Sequence, residues 1–290
     1  TFLRSSITFL ARILCRLMGE FSAKIIRNFY QNIDMNGVDL IIAAGGNTAP
    51  LSAALKKTFS VPVIQLGSPR GMPLRLFDAL VTVEKYFDHP GNIVVDITPN
   101  IYSPSVCLKA AKSQDMHDHL LFLIGGKGMG YSYEQEEWTA LVKNIIYLQK
   151  DTQLPVTIVT SRRTDPIVEK KLQYELSSIS TTYSAWYHKG DKNYNLAALF
   201  GSAKNIFVTE DSAMMISESI SSGKPVTTLY PSYIKSPPRY ENHISKFADL
   251  ELIKRSSLHN FELRSKQGLN ERIIAHHHEL AKKLMRAIGW

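Results

Sequence analysis

The amino-acid sequence predicts an α/β protein with parallel sheets in two domains. Short apolar runs alternate with helical patterns along most of the chain, and most of these runs end in glycine or polar loops. This alternation is typical of parallel strands covered by helices on both faces. The segment 98–118 lacks the alternation and contains Pro99, Pro104 and a polar run over 112–118. We therefore expect a joint there, with one domain over 1–110 and a second over 111–290.

Composition limits the class of protein. The 290 residues are 44% hydrophobic and 21% charged, as in a globular protein with substantial cores. Lys and Arg number 34 against 26 Asp and Glu, which gives a net charge of +8. This excess favours anionic partners, namely nucleotide phosphates, acidic lipid headgroups or nucleic acid. The two cysteines, Cys15 and Cys107, offer no disulfide framework, which indicates a reducing, cytoplasmic compartment.

The strands and helices can be placed approximately. Strands are expected at Val38–Ala44, Val61–Leu66, Ala79–Val83 and Ile93–Val95, and then at Leu120–Ile124, Val156–Val159, Asn205–Val208 and Pro225–Leu229. Helices are expected at 49–58, 134–149, 165–178, 194–202, 212–222 and 269–288. The last helix is expected to close the second domain or to cross back to the first.

The first thirty residues carry an apolar stripe at helical spacing. Its members are Leu3, Ile7, Leu10, Leu14, Leu17, Phe21 and Ile25, and arginines and lysines accompany them. One interpretation is a helix or helix pair that covers a sheet. The other is a basic amphipathic surface, residues 1–30, that binds anionic lipid on the inner face of the cytoplasmic membrane. The two are compatible, and no run of 18 uncharged apolar residues predicts a membrane span.

Polar loops follow several predicted strands, and the carboxyl ends of parallel strands are where such sheets bind ligands. The loop 125–130 (GGKGMG) follows a strongly apolar strand. Glycines let a backbone approach a ligand closely, and their N–H groups can point at an anion. No Ser or Thr follows Lys127, so this is not a Walker A loop. A tight turn between strand and helix is the alternative.

Adjacent arginines follow the next strand, in the segment 161–166 (SRRTDP). The guanidinium groups of Arg162 and Arg163 suit a phosphate. Thr164 or Asp165 can cap the following helix, with Pro166 in its first turn. A solvated pair of charges beside a helix cap is the alternative.

The segment Thr209–Glu218 is the most informative. Asp211 or Ser212 is a suitable N-cap, so a helix whose N–H groups could receive a phosphate is expected to begin here. Glu210 and Glu218 are eight positions apart, about 12 Å along a helix. We interpret them as acceptors of hydrogen bonds from sugar hydroxyls on either side of a diphosphate. A capped surface helix with solvated acids is the alternative.

Two loops of the first domain are candidate acceptor-side elements. They contain Gly45, Gly46, Asn47 and Thr48 after one strand, and Arg70, a candidate anion contact, after the next. The run 276–278 (HHH) is not expected to bind a metal, because consecutive helical positions point about 100° apart. No other cluster predicts a metal site.

These motifs resemble those of bacterial and plant ELM-type proteins, which are described both as mitochondrial fission proteins and as glycosyltransferases. The resemblance covers about 38–255. It rests on GGNTAP at 45–50, LIGG at 123–126, TSRRTDP at 160–166, NxxLAAL at 193–199 and, most strongly, FVTEDSAMMISESISSGKPV at 207–226. The family is similar to GT-B glycosyltransferases, in which two Rossmann-like domains face each other across a cleft that holds a nucleotide-sugar donor.

The resemblance implies roles for individual residues. It implies that the donor diphosphate lies near Gly125, Gly126, Ser161, Arg162 and the helix start at 211–214, with Glu218 on the ribose and Glu210 near the transferred sugar. The candidate donor set also includes Lys127, Arg163, Thr209, Asp211, Ser212 and Met214. The spacing of the two glutamates is similar to that of retaining GT-B enzymes.

The sequence departs from the family at two places. The family's RRTAP is replaced by GNTAP at 46–50 and its HPR by SPR at 68–70, which implies either an altered choice of acceptor or a loss of activity. The family's first strand and glycine-rich loop are not in the sequence, and residue 1 is Thr. The first domain is therefore expected to be incomplete, within a longer gene product.

The sequence thus predicts a GT-B-like glycosyltransferase that moves a sugar from a nucleoside-diphosphate donor to a lipid-linked or envelope glycan. Arg162 and Glu210 are its predicted catalytic residues, and neither a metal nor a cofactor is expected. A nucleotide-sugar 2-epimerase and a non-enzymatic membrane adaptor are the alternatives. Nucleic-acid binding is disfavoured, because aromatic residues are not interleaved with the basic ones in a recognisable motif.

Overall fold

A computed structural model describes residues 5–16, 19–30, 33–179, 181–191, 193–265 and 268–290. The chain divides into two compact units. Unit 1 comprises Thr1–Pro99 and His277–Trp290, and unit 2 comprises Asn100–His276. Each unit contains one parallel sheet, so the predicted α/β class with two parallel sheets is confirmed. The unit boundary lies within the predicted joint.

Unit 1 is built on a four-stranded parallel sheet in the order β1-β2-β3-β4. Its elements are α1 (Ser5–Arg16), α2 (Glu20–Asn28), β1 (Ile41–Ala44), α3 (Ala49–Phe59), β2 (Val63–Leu66), β3 (Ala79–Thr82) and β4 (Asn92–Val94). All four strands overlap the predicted ones. A short 3-10 turn, Leu74–Leu76, precedes β3.

The two faces of this sheet have separate cores. Val63 of β2 belongs to a cluster with α1, α2 and α3, which contains Ala11, Cys15, Ala23, Ile26, Ala49, Ala53 and Ala54 among others. The next residue, Ile64, belongs to a second cluster against which Leu280, Leu284 and Ala287 pack. Successive side chains of a strand point to opposite faces, so helices cover both sides.

The N-terminal helix pair confirms one predicted element and corrects another. Two helices form, as one interpretation predicted, but only part of the predicted apolar stripe is on the buried side, where Leu14 packs against the core. Small residues, such as Ala11 and Ala23, are buried, whereas Leu10 is 48% and Phe21 77% exposed. Leu3 and Leu17 lie outside the described residues. Alanines at these positions let α1 and α2 approach α3 closely, which leaves the larger side chains on the outside.

Unit 2 contains the larger sheet. Its elements are α4 (Pro104–Ser113), β5 (His119–Ile124), α5 (Gln135–Thr152), β6 (Val156–Thr160), α6 (Pro166–Glu175), β7 (Thr181–Ala185), α7 (Leu196–Ser202), β8 (Ala203–Thr209), α8 (Ala213–Ser221), β9 (Val226–Tyr230), α9 (Pro238–Asp249), β10 (Lys254–Ser257) and α10 (Leu269–Ile288). The last fourteen residues, which include the end of α10, belong to unit 1.

The six strands of unit 2 are all parallel, in the order β10-β9-β8-β5-β6-β7. The chain runs outward from β5 through β6 to β7, returns to β8 beside β5, and then runs outward through β9 and β10. The strand order therefore reverses between β5 and β8. Ligands bind at such a reversal point, outside the carboxyl ends of the strands. The fold thus places the loops 125–130 and 209–212 at the expected binding edge.

The centre of this sheet is apolar throughout. Every residue of β5 is buried. Phe122 of β5 stacks on Phe207 of β8, with ring centroids 4.6 Å apart, and Phe261 packs against both. Burying an aromatic side chain contributes about 2–3 kcal/mol, so these rings fix β5 and β8 side by side.

Four elements of unit 2 were not predicted. β7 and β10 are polar edge strands, and α9 follows a proline-rich turn. α4 lies in the predicted joint, where Ser103 caps it by accepting from the Val106 N–H at 3.2 Å. The predicted division at 110/111 falls inside α4, which packs against α7. No helix in the described part of the chain is long and apolar enough to cross a membrane.

Candidate functional site

A buried carboxylate ties together the loops at the β5–β8 reversal point. Asp211 has no exposed surface. Its Oδ1 accepts from the Thr209 hydroxyl at 2.8 Å, and the Gly126 N–H bonds to the same carboxylate. Arg163 Nη1 lies 3.3 Å from its Oδ2 and 2.7 Å from its main-chain oxygen. Burial raises the pKa of Asp211, and these hydrogen bonds and the Arg163 charge oppose the rise.

This network uses the N–H groups that the sequence assigned to a phosphate. The Gly125 N–H donates to Thr209 Oγ1 at 2.7 Å, and the Gly126 N–H is bonded to Asp211. A Cβ on Gly125 would lie 2.1 Å from Asp211 Oδ1, and one on Gly126 would lie 2.0 Å from Arg163 O. The glycines therefore serve close contact between loops. Their expected direct contact with the diphosphate is corrected, because both donors are already occupied.

The segment after β6 folds as a tight turn that closes on β5. The Ser161 N–H donates to Thr164 Oγ1 at 3.0 Å, and the Thr164 hydroxyl donates to Ile124 O at 2.8 Å. Asp165 caps α6 by accepting from the Ile167 N–H, with Pro166 in the first turn, so the predicted cap is confirmed. This turn exposes Arg162 and turns part of Arg163 toward Asp211.

Glu210 lies in the interior, not at the binding edge. It is fully buried, and its carboxylate makes a two-point ion pair with Arg255, with Nε–Oε1 2.9 Å and Nη2–Oε2 2.8 Å. The hydroxyls of Thr228 and Tyr131 donate to the same carboxylate at 2.6 and 3.1 Å. This corrects the expected catalytic role, because a carboxylate with four donors and no exposed surface cannot accept from a sugar hydroxyl.

No sequence motif identified the residues that bind Glu210. Arg255 lies on the polar edge strand β10 and also pairs with Glu241, at 2.7 Å from Nη1 to Oε1. Partial burial disfavours its charged form, but the hydrogen bonds and charge of Glu210 outweigh this and raise the pKa of Arg255. The Tyr240 hydroxyl donates to Glu210 O at 2.7 Å. Tyr131 follows the glycine loop directly, so the network links that loop to α9 and β10.

A cleft of about 500 Å³ opens beside these loops. Its lining includes Gly126, Lys127, Arg162, Arg163, Trp138 and His188. Lys127 and Arg162 are exposed, and neither has an ion-pair or hydrogen-bond partner within the described part of the chain. The two acids at its edge, Glu134 and Asp165, are N-caps whose carboxylates accept helix N–H groups. The cations therefore remain available to an anion.

The remaining donor-side residues lie on α8. Ser212 caps this helix by accepting from the Met215 N–H at 3.5 Å, and Met214 is 47% exposed. Glu218 is half-buried, and its carboxylate has no described hydrogen-bond or ion-pair partner. Burial raises the pKa of Glu218. Burial also raises the pKa of Tyr102 to about 12, and the charge of Glu218 adds to this shift.

The acceptor-side loops of unit 1 form a second polar region. Thr48 donates to Ala44 O at 2.8 Å and to Gly45 O at 3.0 Å, which closes the turn after β1. The Tyr30 hydroxyl donates to Asn47 O at 2.8 Å. Arg70 is exposed in the loop after β2. The sequence did not assign Arg12 to this region, but its Nη2 donates to Gly46 O at 3.2 Å.

Metal ligands do not cluster in the described residues: no group of three or more His, Cys, Asp or Glu side chains there could hold an ion.

Replacing Glu210 by Ala should strongly destabilise unit 2. Removing one partner of a buried ion pair leaves the other charge uncompensated, and we expect the free energy of unfolding to fall by about 3–5 kcal/mol. Arg255→Ala should cost at least as much, because Glu210 has no exposed surface, whereas Arg255 is partly exposed and also pairs with Glu241. Denaturant unfolding should show that the double variant is less destabilised than the sum of the single ones. Additive effects would show that the pair does not couple.

The chain is 26% identical over 271 residues to the uncharacterised protein RP120 of Rickettsia prowazekii (strain Madrid E), which covers 79% of this chain and 75% of that one. A UDP-GlcNAc 2-epimerase from Neisseria meningitidis, solved with UDP-GlcNAc bound, matches at 14% identity with TM-score 0.50, over 100% of this chain and 78% of that one. The ADP-heptose LPS heptosyltransferase II of E. coli matches at 11% identity with TM-score 0.42, over 93% and 80%.

The likeness to the epimerase shows the fold, which is that of GT-B proteins. The family model described as mitochondrial fission ELM1 matches residues 5–287, nearly the whole chain. The resemblance inferred from the sequence motifs is therefore confirmed. The chain belongs to the mitochondrial fission ELM1 family, and its fold is GT-B-like.

Proposed function

We propose that this chain is a glycosyltransferase that binds the diphosphate of a nucleotide-sugar donor in the cleft of unit 2. The observation that carries the proposal is the placement of Lys127 and Arg162. Both are exposed cations without a described partner, and they line a cleft at the loops that follow β5 and β6, at the carboxyl ends of a parallel sheet. Cations held at such an edge suit a diphosphate. Family membership and the GT-B fold agree with this function.

The proposed chemistry is electrostatic. As the bond from the sugar C1 to the diphosphate oxygen breaks, its electron pair stays on the diphosphate, while an acceptor hydroxyl bonds to C1 and gives its proton to the departing diphosphate. Arg162 and Lys127 would stabilise the charge that develops on the diphosphate, and the start of α8 would add its positive end. Fixed cations can do this without a divalent metal or a cofactor. Glu218 would accept hydrogen bonds from the donor ribose.

The stereochemical outcome loses part of its support. Retention was inferred from the spacing of two glutamates, and Glu210 is buried in an ion pair. Retaining transfer therefore remains a hypothesis. The anomeric configuration of the product tests it. The acceptor is proposed to be a lipid-linked or envelope glycan bound at the loops of unit 1.

Epimerisation of a nucleotide sugar is the second candidate function, because the Neisseria meningitidis structure that resembles this chain, with TM-score 0.50, is a 2-epimerase. An epimerase needs an acid and a base at the sugar, and Glu210 cannot serve as either because it is buried in an ion pair. Incubation with UDP-GlcNAc separates the two functions. A change of configuration at C2 without any acceptor would favour the epimerase.

A nucleoside diphosphate should raise the melting temperature of the full chain without magnesium. In a panel of UDP, GDP, ADP and the monophosphate CMP, we expect one diphosphate to give a saturable shift, because a ligand that binds the native state stabilises it. UDP is the first to test, since the similar epimerase binds UDP-GlcNAc. Arg162→Ala should weaken the apparent affinity about tenfold or more. Lys143→Ala on α5, also an exposed cation of unit 2, is the control. Equal affinities of the two variants would contradict the phosphate assignment.

Glu218→Gln should weaken nucleotide binding without lowering stability. Burial raises the pKa of Glu218, so the folded state disfavours its ionised form. The wild type therefore loses stability as the pH rises from the usual glutamate range through the raised pKa, and Gln escapes this loss. In melting curves from pH 4 to 8, the melting temperature of the variant should rise relative to that of the wild type as the pH increases. A variant that binds nucleotide normally would contradict the ribose role.

The exposed side of α1 and α2 is proposed to contact an anionic membrane surface. Phe9, Leu10, Ile13 and Phe21 are between 43% and 77% exposed. Phe9→Ser/Phe21→Ser should reduce flotation of the full chain with vesicles that contain phosphatidylglycerol, because less apolar area can be buried in the interface. Ile101→Ser, which removes an 81% exposed residue of unit 2, is the control. Undiminished flotation of the double variant would exclude this surface.

A further inference from the structure

Three arginines of unit 1 gather at the loops that follow β1 and β2. Arg12 Nη2 donates to Gly46 O at 3.2 Å. Arg70 Nε and Arg12 Nη2 lie 3.2 and 3.4 Å from the point that a Cβ on Gly46 would occupy, so both side chains contact this glycine. Arg16 Nη2 lies 3.8 Å from the corresponding point of Gly71. Helix α1 thus carries two cations to the carboxyl ends of the strands, where the loop after β2 supplies a third.

No carboxylate neutralises this cluster. Within the described residues, Arg12, Arg16 and Arg70 form no ion pair, and the side chains of Arg16 and Arg70 form no hydrogen bond. The described ion pairs of unit 1 join other residues, namely Asp78 with Lys56, Asp88 with Lys85 and Glu279 with Lys283. Like charges held close together repel one another, so their convergence favours a bound anion.

Arg12 also has an unsatisfied donor. Its Nε is buried and has no hydrogen-bond partner, although Nη2 reaches the Gly46 carbonyl. A buried donor of a charged group that lacks an acceptor is costly, and native structures satisfy most such groups. An anion supplies acceptor oxygens of the kind that this guanidinium lacks.

The start of α3 adds positive potential at the same loop. Thr48 is the N-cap residue, but its side chain makes no capping bond and donates instead to Ala44 O and Gly45 O. The first turn of α3 contains no acid. Its positive end is therefore uncompensated by a cap or a nearby carboxylate of its own turn.

The loop that carries Arg70 is held in an unusual backbone conformation. Arg70 has φ +50°, and its neighbours Gly67 and Gly71 also have positive φ. A non-glycine residue in this region is strained and persists where the surroundings hold it. The hydrogen bond from Arg12 to the Gly46 carbonyl gives Arg12 a structural role. It does not explain why Arg16 and Arg70 lie at the same loops without partners.

We propose that Arg12, Arg16 and Arg70 bind a phosphate group of the acceptor, so that the acceptor is phosphorylated. Its source is either a soluble sugar phosphate or the diphosphate of a lipid-linked glycan, which share this chemistry. The word acceptor rests on the proposed function, whereas the anion site does not. Arg12 holds the loop and offers one face to the anion, and the exposed guanidinium groups of Arg16 and Arg70 bind its free oxygens.

The test is a titration of the full chain with inorganic phosphate at constant ionic strength, followed by ³¹P NMR. Arg16→Ala/Arg70→Ala should weaken the apparent affinity about tenfold or more, since each lost contact is a charge-assisted hydrogen bond. Both residues are exposed, so the variant should keep the wild-type melting temperature. Lys24→Ala/Lys57→Ala removes the same charge from exposed positions of unit 1 and is the matched control.

Three results would overturn the inference. Equal loss of phosphate affinity in the two double variants would show that net charge alone attracts the anion. Loss of phosphate affinity in Arg162→Ala but not in Arg16→Ala/Arg70→Ala would place the phosphate in unit 2. The third result is the absence of saturable binding to the wild type. Selective loss in Arg16→Ala/Arg70→Ala supports it. That result without any nucleotide shift would refute the proposed function and leave the anion site standing.

Two further probes identify the source of the phosphate. Glucose 1-phosphate represents a soluble acceptor, and farnesyl diphosphate represents a lipid-linked one. Tighter binding of either than of inorganic phosphate, lost in Arg16→Ala/Arg70→Ala and kept in the control, supports the inference and names the source. Binding of both unchanged by the double variant would overturn it.

Discussion

Two adjacent buried carboxylates hold the binding edge of unit 2 in place. Glu210 and Asp211 follow β8 directly, and neither has any exposed surface. A buried carboxylate is tolerated when hydrogen bonds and opposite charges satisfy it. Glu210 is satisfied by Thr228 of β9, Arg255 of β10 and Tyr131, which follows the glycine loop. Asp211 is satisfied by the glycine loop and the turn after β6, so one dipeptide joins two loops to two neighbouring strands.

This arrangement separates the residues that build the site from those that can contact a ligand. Gly125, Gly126, Thr209 and Asp211 bond mainly to one another. Lys127 and Arg162 extend from the same loops without a described partner. The loops are thus ordered before a ligand arrives, so a ligand would need to order few side chains and no backbone.

Much of the fold follows from the sequence because apolar runs and helical periodicity report burial directly. The eight predicted strands all form, and the motif loops lie at the carboxyl ends of strands. β10 was not predicted, because its four residues, KRSS, are polar and sit at the sheet edge. The role of Glu210 could not be predicted, because its partner Arg255 is 45 positions away and lies on that missed strand. Spacing along a chain gives a distance only between residues of one helix, and Glu210 precedes α8, which begins at Ala213.

The alanines on the buried side of α1 and α2 also set how far the arginines reach. The separation of packed helices depends on the size of the side chains between them. Ala11 lies next to Arg12, and Ala53 and Ala54 lie opposite on α3 in the same cluster. A larger residue at 11 would move α1 outward and draw Arg12 and Arg16 away from the loops after β1 and β2. The small residues in this core therefore determine how close the guanidinium groups of α1 lie to the loops. Their size is constrained by the position of these cations as well as by packing.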